Sequence, residues 1–142
     1  MTFTEAQKDC LRIICSKASA SSDVLGAEAL FRFFKTYPAG KTYFPHMDLS
    51  AGSTDLLSHG GKVMHAIGSA IENLDHIEEE LSSLSDLHAE SLKIDPGNFG
   101  VLSHSILVVL ANHFPADFTP VAHVAWDKLL CLVSAVLVSK YR

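Results

Sequence analysis

Cysteine is scarce in these 142 residues. Cys10, Cys15 and Cys131 form no C-x-x-C pair and leave an odd count. That argues against a disulfide framework or a thiolate metal centre and fits a reducing cytosol, with the three thiols serving as small hydrophobes. Charge is also sparse. Only 19% of residues are charged, the net charge is −5, and no basic stripe offers itself to nucleic acid. Long apolar runs are missing too. The stretches Ile106–Ala111 and Leu129–Val138 read as too short or too interrupted to span a bilayer, so no membrane role is expected. Met1 to Cys10 carries polar and acidic groups and does not read as a signal peptide. Repeats, linkers and low-complexity segments are absent, which leaves a single domain over 1–142. What is abundant is apolar side chains, at 48% of the total. That share points to a large core, a buried apolar ligand or a partner interface.

Period-two strand patterns do not occur, and the punctuation marks helices instead. Thr4-x-x-Gln7 reads as a capping box opening a helix to about Lys17. A second helix begins near Ser21 or Ser22 and ends before Pro38, because the residue preceding a proline is pushed out of the helical well. Pro38 to Gly52 holds two prolines and two glycines and reads as turns. Ser53 caps a long helix through Leu56, His59, Val63 and Ile67 to about Asn73. Another covers roughly Ile77 to Ser91. Asp95-Pro96 and Thr119-Pro120 share one grammar, an N-cap side chain followed by proline at the first helical position. They open helices to about His113 and Val138. These last two are apolar nearly all round and are expected to be buried against helices or another subunit. Gly26 interrupts a helix where alanine would be about 1 kcal/mol better, which predicts a close helix crossing.

Eight histidines are many for this length. Six of them, His46, His65, His76, His104, His113 and His123, read by default as surface or interface residues. His59 and His88 stand apart because a helical hairpin brings them together. From His59 the chain climbs roughly 21 Å to Asn73, turns, and descends roughly 18 Å to His88, at about 1.5 Å per residue. The two imidazoles then sit at similar heights on facing helices, with Val63, Leu84 and Leu92 one turn away. Such a greasy slot suits a flat macrocycle with a central iron. A zinc ion would want a third or fourth converging ligand, and none is evident. By spacing alone, a plain helical core with two satisfied histidines stands ahead of the haem reading.

The runs Lys41-Thr42-Tyr43-Phe44-Pro45-His46, Ser58-His59-Gly60 and Leu84-Ser85-Asp86-Leu87-His88-Ala89 resemble the alpha chains of vertebrate haemoglobin. So do Asp95-Pro96-Gly97-Asn98-Phe99, Phe114-Pro115-Ala116-Asp117-Phe118-Thr119 and the closing Lys140-Tyr141-Arg142. The resemblance covers the whole chain. It implies the all-α globin fold, seven to eight helices around a pocket for haem b, iron protoporphyrin IX. It further implies reversible oxygen transport in the red-cell cytosol. By the same resemblance His88 is the proximal iron ligand and His59 the distal residue on the O2 side, with Val63 crowding the ligand. Phe44 lies against the porphyrin, and Tyr43, Leu84, Leu87, Leu92, Ile94, Asn98, Phe99, Leu102, Val133 and Leu137 line the rest. His46 and Lys62 meet the propionates.

The partners implied are beta-type haemoglobin chains in an alpha2beta2 tetramer. Arg32, Phe118 and His123 match the tight interface of the family, and Thr42, Asp95 and Asn98 the sliding one. Arg142, next to Tyr141, would pair with Asp127 of the other alpha chain, and its carboxylate with Lys128. Several residues depart from the family pattern. Cys15 stands where tryptophan is usual, Met47 replaces a phenylalanine near the haem edge, and Ala39 replaces a threonine of the sliding contact. Gly40 is expected to add slack there. Ala125-Trp126-Asp127-Lys128 resembles embryonic or larval chains. The competing expectations are a monomeric or homo-oligomeric globin with peroxidase, nitrite or nitric oxide activity, and a haem-free helical module. No carboxylate is placed to support a dedicated peroxidase, since Asp86 and Glu90 do not share a face with His88.

Overall fold

The computed structural model describes residues 2–82, 84 and 97–138. Among them are six α-helices, three short 3-10 turns and no strand. Helix α1 spans Glu5–Ala18, and its capping box forms as expected. The Thr4 hydroxyl accepts from the Gln7 amide at 3.1 Å, and the Gln7 side chain accepts from the Thr4 amide at 3.0 Å. Helix α2 spans Ser22–Thr36, and the chain then turns through a 3-10 segment at Pro38–Tyr43. Helix α3, Thr54–Glu72, starts where Ser53 accepts from the Leu56 amide at 3.1 Å. Helix α5 spans Gly97–His113 and α6 spans Pro120–Val138. At the head of α6 the Thr119 hydroxyl accepts from the Ala122 amide at 3.2 Å. The Asp95-Pro96 cap foreseen for α5 lies outside the described residues.

One expected helix is interrupted near its start, at Leu81, with Ser82 and Leu84 beyond it again helical. Helix α4 covers only Ile77–Glu80, and Leu81 leaves the helical well at φ −99°, ψ 9°. Leu81 is 1% exposed, so burying its side chain in the core outweighs continuing the helix there. The remainder of the expected span to Ser91 falls mostly outside the described residues.

Two glycines allow a very close helix crossing. Helices α2 and α3 cross so tightly that a Cβ on Gly26 would overlap the Gly60 carbonyl, and one on Gly60 would overlap the Ala27 amide. The crossing predicted from Gly26 therefore exists, with a second glycine as its partner. Gly40 behaves differently from expectation. It is buried, and a Cβ there would press to 3.0 Å against the Phe33 ring, so it permits packing rather than adding slack.

The main core gathers Leu11, Ile14, Ile67, Leu110, Trp126 and Leu129 from α1, α3, α5 and α6. A smaller core of Leu30, Phe33, Phe34 and Leu56 sits under the α2–α3 crossing. Helix α6 is 19 residues long and, by length and composition alone, apolar enough to cross a membrane, a longer span than Leu129–Val138 suggested. Its Trp126, Leu129 and Leu130 faces are buried against the other helices, which makes it a core helix. Yet only 44% of its most apolar window is covered by this chain. Val121 and Val124 remain 49% and 57% exposed.

Candidate functional site

A largely enclosed cavity of about 320 Å³ opens between α3, α5 and α6. Each helix contributes a stripe at i, i+3, i+4, i+7 spacing, the geometry of one helical face. From α3 come His59, Lys62, Val63, Ala66 and Ile67. Phe99, Leu102, Ser103 and Ile106 project from α5, and Leu130, Val133, Ser134 and Leu137 from α6. Phe44 and Leu84 close the ends. The polar atoms are few: the His59 imidazole, the Lys62 ammonium at the exposed rim, and two serine hydroxyls 3.4 Å apart on facing helices.

His59 is held by rings. The Phe44 ring meets its imidazole edge-on at 5.3 Å, and Phe44 in turn meets buried Phe34 at 5.5 Å. This row runs from the small core to the cavity, so the imidazole is buttressed from behind. The start of α3 is anchored as well. Ser53 donates to the Asp48 carbonyl at 2.6 Å, and the Asp48 amide donates to the Asp55 carboxylate at 2.8 Å. The Ser50 hydroxyl and amide both donate to the Asp48 carboxylate, which holds its carboxyl below the usual range. His59 thus sits one turn inside a helix whose origin is fixed.

Of the residues expected in the pocket, Phe44, His59, Lys62, Val63, Leu84, Phe99, Leu102, Val133 and Leu137 converge on this cavity. Tyr43 is half-buried, His46 exposed and Asn98 buried, and none of these three lines it. They stay off its wall because Tyr43 and His46 lie on the connecting turns, and Asn98 faces the core at the head of α5. The buried Asn98 side-chain nitrogen has no hydrogen-bond partner among the described residues. Leu87, His88, Leu92 and Ile94 lie outside the described residues. Sequence reading missed Ala66, Ile67, Ser103, Ile106, Leu130 and Ser134. Extending the helical stripes from Val63, Leu102 and Val133 by three or four residues would have found most of them.

The expected interface residues lie elsewhere. Arg32 is exposed on α2 and donates to Glu28 at 3.2 Å. The other Glu28 oxygen meets His113 Nε2 at 2.9 Å, which ties α2 to the end of α5. Burial alone would push the Glu28 carboxyl up, but these two partners outweigh it and hold it below its ordinary value. Exposed Thr42 donates to the Ala39 carbonyl at 2.8 Å. The Phe118 ring lies 5.2 Å from that of exposed His123. Asp127 is exposed, while the Lys128 ammonium donates to the Thr2 carbonyl and stands 4.7 Å over the Phe3 ring. Asp95, Tyr141 and Arg142 lie outside the described residues.

A globin family model matches residues 27–137. The chain belongs to the globin family. Aligned over 142 residues, the full length of both chains, this globin is 59% identical to "Hemoglobin subunit alpha-5" of Xenopus laevis. It is 54% identical to "Hemoglobin larval subunit alpha" of Pleurodeles waltl and 51% identical to "Hemoglobin subunit zeta" of Capra hircus, over the same full span. Among globins, then, it is of the alpha type of haemoglobin subunit.

The donor set of the cavity fits a haem. Among the described residues no group of three or more His, Cys, Asp or Glu could hold a metal ion. Flat apolar walls with one cationic side chain at the rim match a porphyrin that is apolar except for its propionates.

Proposed function

We propose that this globin carries haem b in the α3–α5–α6 cavity and transports dioxygen as the alpha-type subunit of a tetramer with beta-type chains, in the red-cell cytosol. The observation that carries the reading is the His59 imidazole, braced by Phe44 and lining a mostly apolar cavity, in a chain similar throughout to named haemoglobin subunits. When bound, haem supplies a ferrous iron able to take up dioxygen reversibly. The residues of the chain select, shield and orient.

His88 is the proximal imidazole in this reading, by resemblance to the family, and His59 works from the opposite side. Its imidazole N–H donates to the gas ligand. A ligand that gains negative charge on binding is stabilised by about 1.5–3 kcal/mol through such a donor. Carbon monoxide gains less, so the imidazole shifts selectivity toward dioxygen. Phe44, Val63 and Ile67 keep water out, which slows oxidation to the ferric state. Lys62 reaches from the rim toward the propionates, and His46 joins it from the turn before α3. No part of this asks for a chemical conversion, so the protein reads as a carrier rather than an enzyme.

The quaternary part rests on the uncovered side of α6 and its neighbourhood. Val121 and Val124 are apolar and open, beside exposed His123 and half-buried Phe118. Arg32 stands nearby in kind, an exposed planar cation held in place by Glu28. A beta-type chain seated there would cover the apolar area. Lys128 would exchange its Thr2 and Phe3 contacts for the carboxylate of Arg142 in the other alpha chain. The test is to load the chain with haem, add a beta-type partner and record an oxygen-binding curve. Reversible uptake with a Hill coefficient well above one is expected. Irreversible oxidation, or uptake with a coefficient of one, would refute the carrier or the tetramer respectively.

A further inference from the structure

Across α3 from the first cavity, a second of about 260 Å³ opens between α1, the start of α2, α3 and α6. Its lining mixes Trp126, the sole tryptophan, with serines, His65 and Glu72, a set that favours no one ligand charge. A groove of about 520 Å³ at the C-terminal end of α2 is more selective. Phe31, Phe34 and Lys35 line it at i, i+3 and i+4, the spacing of one helical face. Lys41 joins them from the 3-10 turn, and Leu49, Ser50 and Ala51 from the turn before α3. The framework is fixed on both sides. Phe34 is buried and meets Phe44 edge-on at 5.5 Å. The Ser50 amide and hydroxyl donate to the Asp48 carboxylate at 3.0 and 2.6 Å, and Ser53 donates to the Asp48 carbonyl.

Two ammonium groups share this groove. Lys35 Nζ stands 5.3 Å over the half-buried Phe31 ring, and Lys41 is exposed. Neither is ion-paired among the described residues, although the chain as a whole carries a net charge of −5. The described lining contains no carboxylate, and Asp48, two residues from Ser50, has one oxygen engaged by it. We propose that the groove binds a small aromatic acid, one or two fused rings bearing a single anionic group, with the rings against Phe31 and Leu49 and the anion beside Lys35 and Lys41. Size permits this, since ligand pockets of roughly 300–1,000 Å³ hold molecules of that class. Chemistry narrows it. A lysine over an aromatic face keeps its N–H donors available to an anion. Ammonium groups act as point charges and ask for no bidentate geometry, so a carboxylate and a sulfonate serve alike. A bare anion gains only screened surface attraction, and a neutral arene gains only apolar burial, so each half alone binds weakly.

The 15N-labelled full chain, loaded with haem in its diamagnetic carbon monoxide form, is titrated at low salt with naphthalene-2-sulfonate. Where haem does not load, the carrier reading fails, and the same titration of the chain alone still tests the groove. Saturable shifts are expected at the amides of Phe31, Lys35, Lys41 and Ala51. 2-Naphthalenemethanol, which lacks the charge, and methanesulfonate, which lacks the ring, are expected to bind at least roughly tenfold more weakly. Lys35→Gln and Lys41→Gln each weaken binding roughly two- to fivefold, and raising salt to about 0.5 M weakens it further. Ala51→Glu, at an exposed turn position, places a carboxylate in the lining and abolishes the shifts. No saturable shift at these amides, or shifts confined to residues of the first cavity, would overturn the proposal. So would unaltered affinity in the folded variant carrying both lysine substitutions. Equal affinity for the sulfonate and the alcohol would overturn the requirement for an anion.

Discussion

The two cavities on either side of α3 are built from the same helix and differ in how they treat a polar group. On the haem side, His59 is braced by Phe44 and shares an apolar enclosure with little else that is polar. On the other side, the lining includes buried Trp126, whose indole N–H has no hydrogen-bond partner among the described residues, together with serines, His65 and Glu72. The first cavity, of about 320 Å³, is lined by a full stripe from each of three helices. The second, of about 260 Å³, owes its space to the small side chains at Cys15 and Gly68. Enclosure follows from side-chain size at helical spacing, and what a cavity can hold follows from the few polar atoms left inside.

Breaking the second cavity from below gives the largest expected effect. Trp126→Ala removes the biggest fully buried side chain and is expected to cost about 3–5 kcal/mol in urea unfolding. Trp126→Phe gives up one fused ring but also deletes the donor, so it is expected to cost less, about 1 kcal/mol. If the two variants lose equal stability, the indole N–H has a partner after all. His59→Val, on the haem side, is expected to lower oxygen affinity about ten- to a hundred-fold, the equivalent of 1.5–3 kcal/mol, and to speed oxidation. The Trp126 resonance stays unmoved in that variant if the cavities are independent. An oxygen curve unchanged by His59→Val removes the imidazole from the account.

Smaller effects test the shared helix. Ser53→Ala removes the N-cap of α3 and is expected to cost about 1 kcal/mol, weakening both cavities together. Smallest is Glu28→Gln, which touches neither cavity. The folded carboxyl of Glu28 is held below its ordinary value of 4.5, so its contribution is complete above that pH. It is lost as pH falls through the folded value. The gap in stability between native chain and Glu28→Gln is therefore expected at neutral pH and should close in acid. A gap that widens on acidification would contradict the His113–Glu28–Arg32 linkage.

Caps and stripes carried most of the fold in readable form. Thr4 with Gln7, Ser53, and Thr119 with Pro120 each announce a helix start through local chemistry, and each start is found where expected. The crossing at Gly26 was visible as an oddity, but its partner Gly60 was not. Naming the partner requires knowing which helices touch. The break at Leu81 left no local mark because tertiary burial decides it. Glu28 and His113 are 85 residues apart, and no spacing rule links them. The exchange at α1 and α6 is similar. Cys15 was noticed as small where the family is large, and the helical stripe marked Trp126 for burial, yet that the two line one cavity emerged only from packing.

The central proposal is that His88 supplies the imidazole that holds haem iron, with His59 as the distal residue. It is tested most directly by loading His88→Gly with haem and recording its Soret band and gas uptake, with and without free imidazole. The account predicts weakened pigment retention and lost reversible oxygenation, both restored when imidazole is added. Normal colour and reversible uptake in the variant without added imidazole would contradict it.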